Sequence, residues 1–376
     1  MHNRNNILIL GSGVSGLSTG ILLLKEGYHI TIWAKDLPPN TTSNKATAII
    51  HPSLCSSQNK GVFWGIIFSL PIISALAKFI YPYFIKIYNL LYSKNNDITR
   101  KINKYQKELL SMGEFTYNYI RDNILNKPNS GCIEENVQEI FDRYHSNPPW
   151  SNFNWAKIQC KFKRISINHK NMSKEYIDGY EINTIVLDTN IYMDYIMNEF
   201  KQLGGNLIQK NVNNIEEVLN SEFDTIINCS GLGSRDLFND KKIFPVRGQS
   251  VIIKKIPEIK SAIVDHANPI KDLCIITPRI NDIVIGGVNQ AYNWNLNVEQ
   301  KDTEKIIAKC QEISPKLKDI KIINITVGLR PQRYKIRIEK EIIANKTIIH
   351  NYGHGESGFT LSWGCAQKVV NLVKLI

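Results

Sequence analysis

The chain has 376 residues, of which 43% are hydrophobic, and a formal net charge of +12 at pH 7. This length and apolar content are sufficient for a large buried core and exclude an intrinsically disordered chain. Because lysines are spread along most of the chain and no nucleic-acid-reading motif accompanies them, we interpret the charge as a solvated surface and expect no nucleic-acid partner.

The seven cysteines are widely spaced and form no CxxC pair, which is typical of reduced, mostly buried thiols in an intracellular protein. The first apolar segment is about five residues long and ends in a glycine turn, so it is too short for a secretory signal core. The C-terminal Lys-Leu-Ile is not a peroxisomal address. We therefore expect a cytoplasmic protein.

The N-terminus carries the pattern of a dinucleotide-binding unit. Asn6–Leu10 is a short apolar strand, Gly11-Ser-Gly-Val-Ser-Gly16 follows at once, residues 17–26 have helical apolar spacing, and residues 30–34 form a second strand. In such a unit the glycine turn places a pyrophosphate at the N-terminus of the helix. We therefore predict dinucleotide binding at this turn.

Two features follow the second predicted strand. Lys35 precedes Asp36, so the carboxylate that usually holds the ribose comes one position later than in the simplest pattern. Residues 37–52 contain a proline pair and many small residues, which predict an extended, closely packed segment able to lie flat against a ring.

Residues 62–91 are very apolar but are interrupted by Pro71 and Pro82. Neither half reaches about 18 uninterrupted apolar residues, which argues against a membrane-spanning helix. Three interpretations remain open: a hairpin buried in the protein or in a homodimer interface, an interfacial membrane anchor, or a hydrophobic lid over the active site. A second copy of the chain and a membrane surface are therefore both candidate partners.

The middle of the chain predicts alternating helices and strands. Residues 97–123 have the pattern of a polar amphipathic helix, 129–173 look irregular and strand-like, 185–195 introduce another helix, and 204–208 introduce a strand. Residues 224–233 predict a buried strand that ends in a second glycine turn facing the dinucleotide. Residues 245–253 and 282–287 predict strands of a different, antiparallel lobe, and a helix beginning near Asp302 is predicted to bury Cys310.

Two motifs near the C-terminus carry the strongest signal. Val327-Gly-Leu-Arg-Pro-Gln-Arg333 offers Arg330 at what we predict to be a proline-stiffened turn. Residues 350–365 place four glycines in a predicted loop that runs into an amphipathic helix. Such a loop lets backbone N–H groups and the positive end of a helix dipole approach a planar, electron-rich ligand, as a flavin requires.

Taken in order, these motifs resemble the D-amino-acid oxidase family of FAD flavoproteins along nearly the whole chain, apart from residues 61 to about 112. The motifs that carry the resemblance are Gly11-Ser-Gly-Val-Ser-Gly16, Ala34-Lys-Asp-Leu-Pro-Pro39, Thr42-Ser-Asn-Lys-Ala-Thr-Ala48, Pro148-Pro-Trp150, Asn228-Cys-Ser-Gly231, Arg247-Gly-Gln249, Gly286-Gly287, Gly328-Leu-Arg-Pro331, Arg337-Ile-Glu339 and His350-Asn-Tyr-Gly-His-Gly355.

The resemblance implies noncovalent FAD and oxidative deamination of a D-amino acid or a related amine-bearing carboxylate. Hydride would pass from the substrate Cα to flavin N5, the imine would give a keto acid, and molecular oxygen would reoxidise the flavin and form H2O2. The resemblance also implies that Arg330 pairs with the substrate carboxylate, which guanidinium geometry favours as well. Gly355 and Glu356 would lie beside the substrate amine, and Thr360 would meet the pyrimidine edge of the flavin.

The cofactor contacts expected on this basis are Gly11, Gly13, Val14, Ser15, Gly16, Lys35, Asp36, Thr42, Ser43, Lys45, Ala46, Thr47, Val212, Cys229, Ser230, Gly231, Arg333, Gly353, Gly355, Ser357, Gly358, Phe359 and Thr360. The same resemblance implies an α/β fold (α+β overall) with a Rossmann-like FAD-binding lobe and a mixed or antiparallel-sheet substrate lobe. We assign residues 1–60, 183–243 and 325–376 to the first lobe, 113–182 and 244–324 to the second, and 61–112 to an apolar helical insertion.

The chain also departs from the family pattern. Members that act on neutral D-amino acids carry two tyrosines where this chain has Ile270-Lys-Asp-Leu-Cys274, and we expect Tyr292 and Tyr352 to be candidate substitutes in catalysis. Acid-specific members carry an arginine where Val288-Asn-Gln290 occurs here, although His51, His266 and Lys271 could supply positive charge. Glu356 replaces a glycine of the family, and its carboxylate would repel acidic substrates and attract a second amine.

Other functions remain as alternatives. One is an FAD-dependent dehydrogenase that passes electrons to a membrane quinone or carrier through residues 62–91, and another is a flavin-binding protein without amine turnover. We predict no metal site, because His350 and His354 are expected in a glycine-rich loop without a third ligand. The sequence shows no His/Asp partners for Ser12, Ser230 or Ser357, so a hydrolase is not favoured.

Overall fold

The computed structural model of the chain describes residues 5–53, 96–166, 176–265 and 274–376. The apolar segment 62–91, and with it its three interpretations, lies outside these residues, as do His266 and Lys271. In the part that is described, no helix combines the length and the apolar character needed to cross a membrane.

The longer helices are α1 (Val14–Lys25), α2 (Asn96–Asn123), α3 (Thr189–Gln202), α4 (Gln300–Ile313) and α5 (Gly358–Val373). Short helical turns occur at Thr42–Lys45, Pro149–Asn152, Trp155–Gln159, Glu216–Leu219, Gly231–Gly233, Ser234–Leu237, Pro315–Leu317 and Gly355–Ser357. The strands are β1 (Asn6–Leu10), β2 (His29–Ala34), β3 (Ala48–Ile49), β4 (Cys132–Phe141), β5 (Lys163–Arg164), β6 (Asp178–Leu187), β7 (Asn206–Gln209), β8 (Thr225–Asn228), β9 (Phe244–Lys254), β10 (Ala262–Asp265), β11 (Cys274–Pro278), β12 (Asp282–Gly286), β13 (Gln290–Ala291), β14 (Ile322–Ile343) and β15 (Lys346–His354).

One half of the sheet is parallel, in the order β7-β2-β1-β8-β15. β1 is almost entirely buried, as expected for a strand covered on both faces of a parallel sheet. The predicted strand, glycine turn, helix and strand unit is confirmed, although the helix begins at Val14 rather than at residue 17. The predicted buried strand after residue 224 is also confirmed as β8, the neighbour of β1.

The other half of the sheet is largely antiparallel and continues through β14, β9, β12, β11 and β10 to β4, β6 and β3. β14 joins the halves because it pairs with β9 up to Gln332 and with β15 at Gln332 and, after a register shift, from Arg337 onwards. A separate apolar core underlies this half and includes Ile306, Cys310 and Ile313 of α4, as predicted. The α/β fold class with a Rossmann-like lobe and a mixed-sheet lobe is thus confirmed, while the residue boundaries of the lobes remain a prediction.

Two local predictions are wrong. Arg330 does not lie in a turn, because β14 continues through it and pairs it with Val246 of β9. Pro331 is compatible with this strand because it faces Pro245, and neither residue of that pair has an N–H that needs a ladder partner.

His350 and His354 lie in strand β15 rather than in a loop. The buried residues Ile348 and Ile349 extend the strand alongside β8, and left-handed backbone appears only at Gly353 and Gly355, with φ of +86° and +56°. Glycines at the end of the motif therefore did not prevent its apolar beginning from forming a strand.

Candidate active site

A cavity of about 1850 Å3 runs from the carboxyl ends of β1, β2 and β8 to the face of β9, β12 and β14. Sites for a drug-sized ligand are typically about 300–1,000 Å3. The cavity therefore has room for a dinucleotide together with a small second ligand. It also lies where open α/β sheets bind ligands, beyond the carboxyl ends of the parallel strands.

The glycine turn forms one wall of this cavity. Gly11 has a φ of +101°, and a Cβ there would lie 2.6 Å from the carbonyl oxygen of Cys229. A Cβ at Gly13 would lie 3.1 Å from Ser43 Oγ, and Val14 N donates a hydrogen bond of 3.0 Å to that oxygen. β1, β8 and the residues 42–45 turn thus meet around the N-terminus of α1, where a helix dipole favours a phosphate.

Near the end of β2, the cavity has a wall of aromatic and polar side chains. Trp33, at the end of β2, lies under Lys210 with 3.6 Å between Nζ and the ring centroid. Lys35, Asp36 and Val212 line the cavity nearby. The glycine-lined approach to the N-terminus of α1 fits the pyrophosphate of the dinucleotide that the sequence predicts. The adjacent aromatic and polar wall fits its nucleoside.

The end of the cavity that is predicted to hold the flavin ring combines residues 45–47 with the helical turn Gly355–Ser357 before α5. Lys45 packs on β14, where a Cβ at Gly328 would lie 3.0 Å from Lys45 Cβ. Gly355 has positive φ, and a Cβ there would lie 2.0 Å from Gln332 Oε1. Burial lowers the pKa of His354, which also lines the cavity, to about 4. His354 is therefore neutral at physiological pH.

Arg330 supplies the cationic group at the centre of the cavity. It is partly exposed and lines the cavity, and its Nη1 donates a hydrogen bond of 3.2 Å to the carbonyl oxygen of Val288. The guanidinium lies directly over Gly248, where a Cβ would be 2.4 Å from Nη1. Burial lowers the pKa of Arg330, whereas the nearby Glu356 raises it. Within the described ranges, the Val288 contact uses one of the five N–H donors of Arg330, so the others face the cavity as donors for a carboxylate.

Most of the predicted site residues are brought together on the cavity wall. They are Gly11, Gly13, Val14, Ser15, Lys35, Asp36, Thr42, Ser43, Lys45, Ala46, Thr47, Val212, Cys229, Ser230, Gly231, Arg330, Tyr352, Gly353, Gly355, Glu356, Gly358 and Phe359. Their individual contacts with FAD or substrate remain predictions.

The remaining predicted residues do not line the cavity. Gly16 and Ser357 lie behind it, and Arg333 is held by an ion pair of 2.8 Å with Asp240. The Thr360 hydroxyl donates to Ile49 O at 3.1 Å and accepts from His51 N at 3.3 Å, so backbone groups of the β3 region occupy it. Tyr292 is 51% exposed and stacks on Phe244.

Tyr352 lines the cavity, but its hydroxyl takes part in a polar network. It donates to Asp240 Oδ2 at 2.7 Å and accepts from Arg337 Nη1 at 3.0 Å. Burial alone would raise the pKa of Asp240. Hydrogen bonds from Tyr352 and from the Lys242 backbone, together with the charge of Arg333, outweigh burial and lower this pKa. Burial raises the pKa of Tyr352. These partners position the tyrosine as a neutral, fixed wall residue.

Three residues that line the cavity, Glu139, Tyr180 and Gly248, were not selected as site residues from the sequence, and His51 was considered only as a source of charge. Glu139 lies on β4 between Val137 and Phe141, which are both buried on the same strand face. A carboxylate at an inward position of an alternating strand was the signal that could have identified it.

Over the described ranges, no group of three or more His, Cys, Asp and Glu residues is arranged to hold a metal ion.

Replacing Gly13 with alanine is expected to weaken FAD retention about tenfold or more. The new methyl group would project toward the cavity beside Ser43 Oγ, where the pyrophosphate approaches the backbone. Equilibrium dialysis of the apoprotein against FAD measures the change. Unaltered FAD affinity, with the protein still folded, would mean that the pyrophosphate binds elsewhere.

Comparisons with known proteins agree with this geometry. The family model described as FAD dependent oxidoreductase matches residues 6–125 and 160–372. A D-amino-acid oxidase of Dictyostelium discoideum is 38% identical over 375 residues, covering 98% of this chain and 91% of the relative. A D-amino acid oxidase of Dugesia ryukyuensis is 31% identical and covers 98% and 97%. The crystal structure of a glycine oxidase from Bacillus cereus has a TM-score of 0.69 at 15% identity and covers 98% and 94%, which shows the shared fold.

Proposed function

This chain belongs to the D-amino-acid oxidase family of FAD-dependent oxidoreductases, and we propose that Arg330 holds the carboxylate of its amino-acid substrate during FAD-dependent oxidative deamination. The enzyme acts on CH–NH2 donors. Bound FAD supplies the electron acceptor for the substrate C–H bond. The observation that carries the proposal is the Arg330 guanidinium, which lies over Gly248 on the cavity wall and has N–H donors that none of the described residues uses.

The residues around Arg330 would orient the substrate. A planar guanidinium binds a carboxylate through two parallel hydrogen bonds, which fixes the direction of the attached Cα. Gly355 and Glu356, at the N-terminal end of α5, line the same cavity and supply backbone and carboxylate groups for the amine. Val264, Ile275 and Val288 add apolar lining that limits water. No side-chain base is required when the amine enters neutral.

We propose D-configured substrates and molecular oxygen as the electron acceptor, with hydride transfer and H2O2 as the corresponding chemistry. Mixing the holoenzyme anaerobically with D- and L-amino acids, glycine and N-alkyl amino acids, while following flavin bleaching, tests the substrate. Admitting air and measuring H2O2 tests the acceptor. Bleaching without peroxide would favour a dehydrogenase, and no bleaching with any amine would favour a flavin-binding protein.

Residues 62–91 carry a separate proposal that rests on their composition. We propose a cytoplasmic enzyme whose apolar segment contacts either an anionic membrane, through Lys78 and Lys86, or a second copy of the chain. Sedimentation with liposomes, together with the mass of the particle in solution, distinguishes these contacts from a buried hairpin in a monomer.

Replacing Gly248 with alanine is expected to lower kcat/KM for flavin reduction by about tenfold or more. The added Cβ would lie 2.4 Å from Arg330 Nη1 and 2.7 Å from Cζ, so the guanidinium must leave its present position. Misplacing a substrate-binding group by about 1 Å can cost on the order of a hundredfold. Stopped-flow flavin reduction measures the loss, and a flavin spectrum like that of the parent confirms that FAD is bound. If the variant reduces its flavin as efficiently as the parent, then substrate binding does not depend on the present position of Arg330.

A further inference from the structure

A chain of buried side chains connects the wall of the cofactor cavity with the protein surface. It begins at residues 229–233, here called the Ser230 turn, which follow β8 and all line the cavity. This turn touches the glycine turn, since a Cβ at Gly11 would lie 2.6 Å from the carbonyl oxygen of Cys229 and 3.4 Å from Ser230 Cα. The position of the Ser230 turn therefore helps to shape the cavity where the pyrophosphate is predicted to bind.

Asn228 holds the Ser230 turn in place. Its side chain is fully buried, and its Oδ1 accepts hydrogen bonds from the backbone N–H of Ser230 at 3.1 Å and from Ser230 Oγ at 2.7 Å. Because a backbone N–H can only donate, Oδ1 and not Nδ2 must face Ser230. Nδ2 then points the other way, where it lies 3.1 Å from both Ser234 Oγ and His350 Nδ1. The Ser230 backbone thus determines the orientation of the whole amide.

The orientation of the Asn228 amide fixes the protonation state of His350. Since Asn228 Nδ2 donates, His350 Nδ1 accepts and carries no proton. His350 Nε2 lies 2.9 Å from Glu341 Oε2 and donates to this carboxylate, which reaches the surface. The imidazole is therefore neutral, with its proton on Nε2. Burial lowers the pKa of His350 and favours the same neutral form, although the hydrogen bond to Glu341 raises this pKa.

The surroundings of His350 leave Nδ1 facing the amide. His350 is fully buried and is the Cα partner of Asn228 in β8 and of Glu339 in β14. The rings of Phe238 and Tyr352 pack edge-on against the imidazole, with centroids 5.2 and 5.6 Å away. Three charged side chains face it from β14, namely Arg337, Glu339 and Glu341. Arg337 forms ion pairs with both carboxylates, so this group of charges is partly compensated.

Protonation of His350 is incompatible with the present arrangement. A proton on Nδ1 would point at Asn228 Nδ2, which is also a donor, so the amide would have to rotate and offer Oδ1. Rotation would place Nδ2 against the Ser230 N–H, and the Ser230 turn would lose both hydrogen bonds to Oδ1. A buried donor that faces another donor is costly. An empty cavity leaves the turn room to rearrange, whereas a dinucleotide packed against it does not.

We propose that His350 is a positioning residue for the cofactor: in its neutral form, and through Asn228, it holds the Ser230 turn in the position that FAD binding requires. Glu341 supports this role by accepting the Nε2 proton, which selects the tautomer with an unprotonated Nδ1. The FAD affinity should be greatest at a pH where His350 is neutral in the apoprotein, and it should fall as acid protonates this histidine. The inference does not depend on the proposed role of Arg330.

Asn228→Asp provides a sharp test, because the carboxylate has nearly the shape of the amide. One oxygen can still accept from Ser230, while the other accepts from a protonated His350 Nδ1, so the cationic histidine now fits. In equilibrium dialysis of the apoprotein against FAD, the Kd of the parent should be about fivefold or more higher at about pH 5 than at about pH 8. For Asn228→Asp this ratio should be about twofold or less.

His29→Gln is the matched control. It removes an exposed histidine at the first residue of β2, outside the cavity, and it should keep the parental ratio of Kd values. A purely structural role for Asn228 and His350 predicts a different result, because Asn228→Asp would then change the Kd by the same factor at both pH values and leave the ratio parental.

The outcomes decide the proposal. A parent whose FAD affinity is the same at both pH values overturns it, and so does a parental ratio in Asn228→Asp. If Asn228→Asp fails to bind FAD at either pH, His350→Asn decides, because its amide oxygen can accept from Asn228 Nδ2 but cannot gain a proton. A ratio of about twofold or less in His350→Asn supports the proposal, and a parental ratio overturns it. Failure of every D-amino acid to bleach the parent flavin would overturn the proposed role of Arg330 without changing these FAD affinities.

Discussion

Replacing Arg330 with leucine is expected to cut kcat/KM for flavin reduction by about thirtyfold to several thousandfold while leaving FAD bound. Removing one member of a desolvated, hydrogen-bonded charge pair costs on the order of 2–5 kcal/mol, which corresponds to this range at about 1.4 kcal/mol per tenfold. The guanidinium lies on the cavity wall beside Val288, apart from the glycine turn that is predicted to hold the pyrophosphate. Anaerobic stopped-flow reduction measures the loss, and the flavin spectrum reports retention.

Two further variants sharpen this test. Arg330→Lys should restore only part of the efficiency, because an ammonium is a point charge without the planar fork. Arg143→Leu removes an exposed arginine that pairs with Asp142 outside the cavity, and it should behave like the parent. If Arg330→Leu reduces its flavin as efficiently as the parent, the substrate is not held by a carboxylate at Arg330, and an uncharged amine becomes the better candidate.

Replacing Gly16 with alanine is expected to lower the thermal unfolding midpoint of the apoprotein by about 1–4 °C and to abolish stable FAD binding. The new Cβ would lie 1.9 Å from the carbonyl oxygen of Gly11, which is a backbone atom and cannot rotate away. Helix α1 would have to move from β1, and the glycine turn would open. Overpacking of this kind costs about 1–3 kcal/mol or more.

Calorimetry of the apoprotein and gel filtration of the holoprotein measure the two effects of Gly16→Ala separately. Gly233→Ala is the control for stability, because its Cβ would meet Ser230 side-chain atoms at ordinary contact distances of 3.4 and 3.6 Å. A Gly16→Ala protein with the parental midpoint would show that α1 and the turn can separate without cost.

Local sequence patterns were sufficient to predict much of the cofactor-binding half of the fold. Asn6–Leu10, the glycine turn and α1 are contiguous, and each step is dictated by neighbouring residues: an apolar run, glycines that permit close backbone approach, and apolar residues at helical spacing. For the same reason the sequence indicated β8, β9 and β12. Arg330 could be selected as a carboxylate-binding candidate because its motif is specific and its chemistry belongs to the residue itself.

Only the tertiary structure decided what surrounds these residues. The β14–β9 ladder places Arg330 in a strand over Gly248, and backbone bonds to Ile49 and His51 occupy the Thr360 hydroxyl. Glu139 shares a row with Ile275 because β4, β10 and β11 pair in one register, although they are far apart in the chain. Register and strand order depend on which distant backbone groups pair and on which apolar faces meet, and no local pattern contains that information.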